Sequence, residues 1–532
     1  MPRLDKEAAA WVESSLSSMS LKEAVGHLVM PEDRKYQPAD WLAFLKEAPL
    51  GCVFVSEREK ARTVDCLAAI QERSRIPVIA AADMEQGLGD VPGYQFPYSM
   101  ALGAAGSEAM AEEKGFITAR QARDMGVHWL FQPVIDLNID PMNPETNIRA
   151  FGDDEGLVKR LSVAQIKGLQ RGGVAATAKH FPGAGMDDRD QHLCTSLNPL
   201  PMDVWMDTYG KVWKAAIKKA GVMTVMPGHI SLPDYEDLLE RPSKAMPATL
   251  NPKLLKGLLR KDLGFEGVIV SDAAPMIGLT SRCKGEDLAV EFIKAGGDVF
   301  LFAEPVDDYK RILAAVKSGR LSESRVYDAA RRVLTLKALL GLHKSSKPVP
   351  LTKAEKVRGV KLPEEIAEAS ATIVKGPKSF PVKLKKGAKV LTVTIKWPDA
   401  PEFRCPELKV VDSELKRFGC KVDHLINPSH TQLNEAADKY DCIFVNVIQI
   451  PHALIGNIRL IGPMIMAFWR AFYAGRDNCV FTSFGSPYLL YEQPHWPNFL
   501  AMYSPSEASQ RAAVGVWTGR LKAKGHLPFH HH

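Results

Sequence analysis

Gly173-Val174-Ala175-Ala176-Thr177-Ala178-Lys179-His180-Phe181-Pro182-Gly183-Ala184-Gly185 is the stretch that decides the fold. Its first seven residues are apolar, short in extent and bounded by glycine, the pattern of a buried strand whose C-terminal end delivers Lys179 and His180. Pro182, Gly183 and Gly185 then break regular structure. Residues 184–192 are therefore expected to form a mobile surface loop.

Similar apolar runs stand at 51–55, 77–83, 128–137, 221–226, 267–272 and 298–302, with helical stretches between most of them at 107–125, 156–171, 202–220, 252–262 and 286–295. This alternation predicts a parallel sheet, and its length favours a TIM-like (β/α) barrel. Seven strands are countable, so either one is hidden or the barrel is irregular. Residues 304–342 continue as helices, and 343–353 carry Ser, Lys and two prolines, a linker composition. A second alternating unit follows, with strands at 389–395, 421–425, 442–448 and 479–484. The expected architecture is α/β: a barrel domain over 1–342, a linker over 343–360, a smaller α/β sandwich over 361–529, and His530–His532 with the composition of a purification-tag stump.

Composition narrows the function classes. The chain of 532 residues is 46% hydrophobic and 24% charged, values of a globular protein with material for two cores. A net charge of +6 without a basic run gives nucleic-acid binding little support. The longest apolar stretch, 455–472, contains Asn457, Arg459, Gly462 and Pro463 and makes a poor membrane span. Eight scattered cysteines without a CxxC pair suit a reducing compartment, and residues 1–7 lack a signal-peptide core, so cytoplasmic residence is expected, although a removed signal would fit as well. The sequence leaves the oligomeric state open.

Two segments carry chemistry. Asp190 and His192 lie two apart, so in an extended segment they face the same way. The carboxylate can then bond one ring nitrogen and leave the other for proton transfer. Competing readings are a solvated acidic loop, a metal site from Asp187, Asp188, Asp190 and His192, and a phosphate-cradling glycine loop, the last lacking a third glycine and a following helix. The second segment, Gly264-Phe265-Glu266-Gly267-Val268-Ile269-Val270-Ser271-Asp272, is a strand ending in an acid, which on a barrel sits on the catalytic face. A helix N-cap at Ser271 or Asp272 is the plainer alternative. In the second domain, Thr482-Ser483-Phe484-Gly485-Ser486-Pro487 lacks the Gly-x-Ser-x-Gly context of a nucleophile elbow and reads as a strand-to-turn junction.

Lys179-His180-Phe181-Pro182-Gly183-x-Gly185-x-x-x-x-Asp190-x-His192 and Gly264-Phe265-x-Gly267-Val268-x-x-Ser271-Asp272 resemble glycoside hydrolase family 3, in particular its N-acetyl-β-glucosaminidase branch of peptidoglycan-recycling type. Asp83-Met84-Glu85-Gln86-Gly87, Phe131-x-Pro133-Val134-x-Asp136-Leu137-Asn138, Asn143-Pro144 and Arg149-Ala150-Phe151-Gly152-Asp153 extend the resemblance, which is close over roughly 20–345. It implies Asp272 as nucleophile, His192 as acid/base and Asp190 as its partner, with Asp83, Arg149, Lys179, His180, His229 and Arg34 as sugar-binding positions. Ala273, and Gln86 before Gly87, depart from the pattern of many relatives.

The implied activity is retaining exo-hydrolysis of a terminal β-linked N-acetylglucosamine from a small or oligomeric glycan, with no cofactor and no metal. A β-N-acetylglucosaminide phosphorylase or β-glucosidase of the same family, and a non-catalytic sugar-binding protein, remain as alternatives. A muropeptide, a chitin oligomer and a glycan end all fit as substrate.

Overall fold

The computed structural model describes residues 3–33, 38–56, 59–88, 95–398, 405–451 and 458–530. Eight parallel strands close a ring in sequence order: β1 (Val29–Met30), β2 (Cys52–Phe54), β3 (Ile79–Ala82), β4 (Trp129–Leu130), β5 (Ala175–Phe181), β6 (Thr224–Pro227), β7 (Val268–Ile269) and β8 (Phe300–Leu301). Strands β2 to β7 form one continuous sheet, and β1 pairs with β8. Single bridges, Glu32 to Phe54 and Val270 to Val299, complete the circle. The strand hidden in the sequence is β1. It is two residues long and wedged between the capped helix Leu21–Gly26 and Pro31, so no apolar run advertises it.

Alternation along β5 explains both faces of the barrel wall. Ala175 points into the ring with Ile79, Trp129 and Val268, while Ala176 and Ala178 pack outward against the helical layer. The buried Trp129 Nε1–H lies 2.8 Å from Thr177 Oγ1 and 2.9 Å from Thr224 Oγ1, so the indole finds acceptors inside an otherwise apolar core. Outside, Ser107 and Asp154 cap the helices Glu108–Asp124 and Glu155–Arg171, each accepting a backbone N–H from the first turn.

The second domain is a six-stranded sheet of β9 (Thr372–Lys375), β10 (Lys389–Ile395), β11 (Lys421–Ile426), β12 (Cys442–Val447), β13 (Cys479–Ser483) and β14 (Phe499–Ala501). Its order is β9-β14-β13-β12-β10-β11, parallel except for the β9 edge. Cys442 and Cys479 are buried in its strands, and no disulfide joins cysteines among the described residues.

The segment read as a linker is helical in its second half. Helix Lys353–Ser370 starts at a Thr352/Glu355 capping box and docks on the barrel's outer layer through Arg120 to Glu355 (2.7 Å) and Arg358 to Glu113 (2.5 Å). The C-terminal tail also returns to the barrel. His526 N–H bonds Ala104 O at 3.0 Å, His530 N–H bonds Asp153 at 2.9 Å, and Phe529 packs on Tyr488, whose hydroxyl reaches Asn138 O at 3.4 Å. Residues 531 and 532 lie outside the described residues. Among the described residues no helix is long and apolar enough to cross a membrane.

Candidate active site

The C-terminal ends of the barrel strands converge on one face, where such barrels hold their chemistry. Asp83 follows β3, Asp136 lies beyond β4, Lys179 and His180 end β5, His229 follows β6 and Asp272 follows β7. Two glycines make the turn after β5 possible. Gly183 (φ 130°) would drive a Cβ to 2.1 Å from the Tyr209 ring, and Gly185 (φ 95°) would drive one to 2.1 Å from Leu137 O.

One side of the site is an ion cluster built around Glu85. Arg149 grips Glu85 through Nε and Nη2 at 2.9 and 2.8 Å, and Lys179 Nζ lies 2.8 Å from Glu85 and 3.1 Å from Asp83. Burial would raise the Glu85 carboxyl, but the two cations outweigh it and hold it well below the usual range. Burial likewise pulls the Lys179 ammonium down, and Asp83 and Glu85 more than restore it. Asp83 is half exposed, so the cluster presents a charged edge to the pocket.

His180 stands next to it, oriented from behind. Its Nδ1 is 2.8 Å from the buried carboxylate of Asp136, which also accepts the backbone N–H groups of His180 and Ala184. His229 has a different placement from that expected. It is fully buried, with Nδ1 2.9 Å from Thr249 Oγ1 and Nε2 3.0 Å from Ala273 O, and burial depresses its protonation. Both ring nitrogens are committed to protein, so His229 braces the chain beside Asp272 rather than facing a sugar.

The expected mobile loop is packed against the barrel. Asp190 and Gln191 are buried, because Gln191 Oε1 accepts the His229 N–H at 2.7 Å, Gln191 O and His192 O accept the N–H groups of Gly278 and Ile277, and Asn143 Nδ2 donates to Asp187 O. His192 Nδ1 lies 2.7 Å from Asp190 Oδ1, and its own N–H bonds the same oxygen at 2.9 Å. The side chain is 26% exposed, leaving Nε2 as the nitrogen available to a substrate.

A third group, Glu145, brings Oε1 to 3.2 Å from the same Nδ1. Burial pulls the His192 imidazole down, but Asp190 and Glu145 more than reverse this and lift it to about 10. The donor atoms of Glu145, Asp190 and His192 fall within 4.8 Å of one another, a spacing a cation could bridge. The 2.7 Å contact between His192 Nδ1 and Asp190 is that of a charge-assisted hydrogen bond. Asp187, one of the acids considered for a metal, accepts the Leu197 N–H instead, and Asp188 is exposed.

Asp272 accepts its neighbour Ala273 N–H at 2.8 Å through Oδ1, while Oδ2 receives no hydrogen bond among the described residues. Burial would raise its carboxyl. The neighbouring His180 and His229 imidazoles, the Ala273 N–H and the Lys179 ammonium keep it below the ordinary value. The result is an ionised oxygen with one unsatisfied lone-pair face, a competent nucleophile.

The structure thus brings Asp83, Arg149, Lys179, His180, Asp190, His192 and Asp272 to one face. Arg34 lies outside the described residues. Glu85, Asp136 and Glu145 also belong to the site, and only Glu85 and Asp136 stand inside the family-like motifs; their partners Lys179, His180 and His192 are 94, 44 and 47 positions away in sequence yet adjacent in space.

Known proteins resemble this chain in sequence and in fold. The domain family "Glycosyl hydrolase family 3 N terminal domain" matches residues 20–336. A β-N-acetylglucosaminidase/β-glucosidase of Cellulomonas fimi is 30% identical over 99% of this chain and 96% of its own. A solved β-glucoside phosphorylase, BglX, superposes with TM-score 0.88 at 28% identity, covering 99% of this chain and 96% of that one. A β-N-acetylglucosaminidase from Paenibacillus sp. str. FPU-7 superposes with TM-score 0.82 at 27% identity, covering 96% and 99%.

Proposed function

We propose that this chain, which belongs to glycosyl hydrolase family 3, is a retaining exo-β-N-acetylglucosaminidase that releases terminal N-acetylglucosamine from an oligosaccharide. Asp272 attacks the anomeric carbon, forming the C1–O ester as the bond to the leaving oxygen breaks, and His192 Nε2 delivers its proton to that oxygen. The neutral imidazole then takes a proton from water, which displaces Asp272 and restores both groups. Lys179, Arg149, Asp83 and His180 orient the sugar hydroxyls, and charged donors held in a buried cluster make strong, directional bonds.

The observation that carries this reading is the 2.7 Å bond from His192 Nδ1 to Asp190, on the same barrel face as an Asp272 oxygen that receives no hydrogen bond among the described residues. The names of the similar C. fimi and Paenibacillus proteins support the substrate class. The likeness to BglX favours a second reading, phosphorolysis or action on glucosides. Turnover of aryl N-acetylglucosaminide and aryl glucoside in millimolar phosphate, with products resolved by NMR, separates the two. Free N-acetylglucosamine as the main product supports the hydrolase, and dominant sugar 1-phosphate replaces it with a phosphorylase that keeps the same two catalytic residues. A cell-wall fragment met in the cytoplasm is the natural substrate proposed, and muropeptides assayed against chitobiose test it.

A further inference from the structure

The loop carrying His192 is met from below by a carboxylate that the acid/base pair does not need for geometry. Asp190 alone fixes the ring, through bonds to both Nδ1 and the backbone N–H of His192. Glu145 nevertheless approaches the same Nδ1 to 3.2 Å, with its side chain 3% exposed. Its position is rigidly set, since Asn143 Oδ1 accepts the Glu145 N–H at 3.0 Å and the Thr146 N–H at 2.8 Å. The Nδ1–H is aligned on Asp190, its nearer acceptor at 2.7 Å, and Glu145 stands beside that bond at 3.2 Å. Apart from this imidazole, neither Glu145 oxygen has a hydrogen-bond donor among the described residues.

A buried carboxylate without donors is costly unless it is neutralised by a proton or by an adjacent cation. Here the adjacent group that can alternate between the two states is the His192 imidazole, 3.2 Å away. We propose that Glu145 is a positioning residue that shares a single proton with His192, so that Glu145, Asp190 and His192 act as one three-membered acid/base unit. When the imidazole is cationic, Glu145 is its buried counter-ion. When the ring gives up its proton to the leaving group, two carboxylates remain on its far side and make it a stronger base for the incoming water.

The surroundings agree with this sharing. Burial raises the Glu145 carboxyl, with Asp190 adding to the rise and His192 and His180 opposing it, so Glu145 holds a proton more readily than an ordinary glutamate. The other charges that face it are Arg149, whose Nη1 donates to Glu145 O at 3.0 Å, and Asp187. None of these supplies its carboxylate with a hydrogen bond among the described residues.

The inference rests on His192 being the acid/base, and the test separates the two claims. The pH profile of kcat/KM is measured with an alkyl glycoside, which needs protonation, for the wild type, Glu145→Gln and His192→Ala. Glu145→Gln is expected to bring the alkaline limb down by at least one pH unit, a tenfold or greater loss at high pH, with the nitrophenyl glycoside much less affected. In parallel, 15N-histidine NMR follows the ring assigned through His192→Ala. Its midpoint should fall by a similar amount in Glu145→Gln, a readout independent of turnover and available from any folded variant. An unmoved limb and an unmoved midpoint overturn the role of Glu145. A limb that persists in His192→Ala overturns the acid/base reading itself, and the role of Glu145 with it.

Discussion

Arg149 holds Glu85 through two parallel N–H bonds of 2.9 and 2.8 Å, and the same carboxylate carries Lys179 at 2.8 Å. The two cations proposed to orient the sugar are therefore positioned by one acid. Glu85→Gln should lower kcat/KM by two orders of magnitude or more, because removing one partner of a buried pair leaves uncompensated charge worth about 3–5 kcal/mol. Kinetics alongside thermal denaturation check it, and a variant of wild-type activity would detach Glu85 from the site.

Asp272→Ala should lose several orders of magnitude in turnover, since its carboxylate is the group proposed to form the covalent intermediate. A slow-turnover 5-fluoro glycoside should mark the peptide containing Asp272, as read by mass spectrometry. Because its carboxyl lies below the ordinary value, Asp272 stays ionised as the medium is acidified. The Asp272 carboxyl is therefore expected to place an acid limb of kcat/KM below the ordinary carboxylate range.

His192→Ala should damage substrates with poor leaving groups far more than nitrophenyl glycosides, whose acidic phenol departs with little protonation. Asp190→Ala should show the same ordering in milder form. Equal losses on both substrate classes would make His192 a loop anchor and nothing more.

Asp298 should matter for stability and not for chemistry. It is fully buried between β7 and β8, with Arg260 at 2.7 Å, Arg325 at 2.8 Å and Arg332 at 3.4 Å. Burial alone would raise its carboxyl, and the three guanidinium groups hold it below the ordinary value. A carboxyl lowered in the folded state contributes stability above its unfolded value of about 4, and that contribution is lost as the pH falls from there through the folded value. Asp298→Ala should thus cost about 3–5 kcal/mol in denaturant titrations at pH 7, with the gap to wild type narrowing in acid.

The sequence by itself determined the barrel, the strand ends that carry Lys179, His180 and Asp272, and the Asp190–His192 pairing. Each rests on local information: a buried strand needs a short apolar run, a turn needs its glycines, and two residues two positions apart need no fold to meet. Tertiary structure decided the rest. Strand β1 is two residues long and exists because ring closure gives it β2 and β8 as partners, so no periodicity could reveal it. The loop of His192 reads as mobile from Pro182, Gly183 and Gly185, yet bonds from Asn143, Gly278 and Ile277 pack it down. His229 looks like a sugar ligand in its motif until Thr249 and Ala273 are seen to occupy its ring. Glu85, Asp136 and Glu145 are ordinary loop acids along the chain. Their roles come from cations and imidazoles 44 to 94 positions distant, which only the packing of the barrel brings within about 3 Å, because Coulomb and hydrogen-bond energies depend on separation in space and not along the sequence.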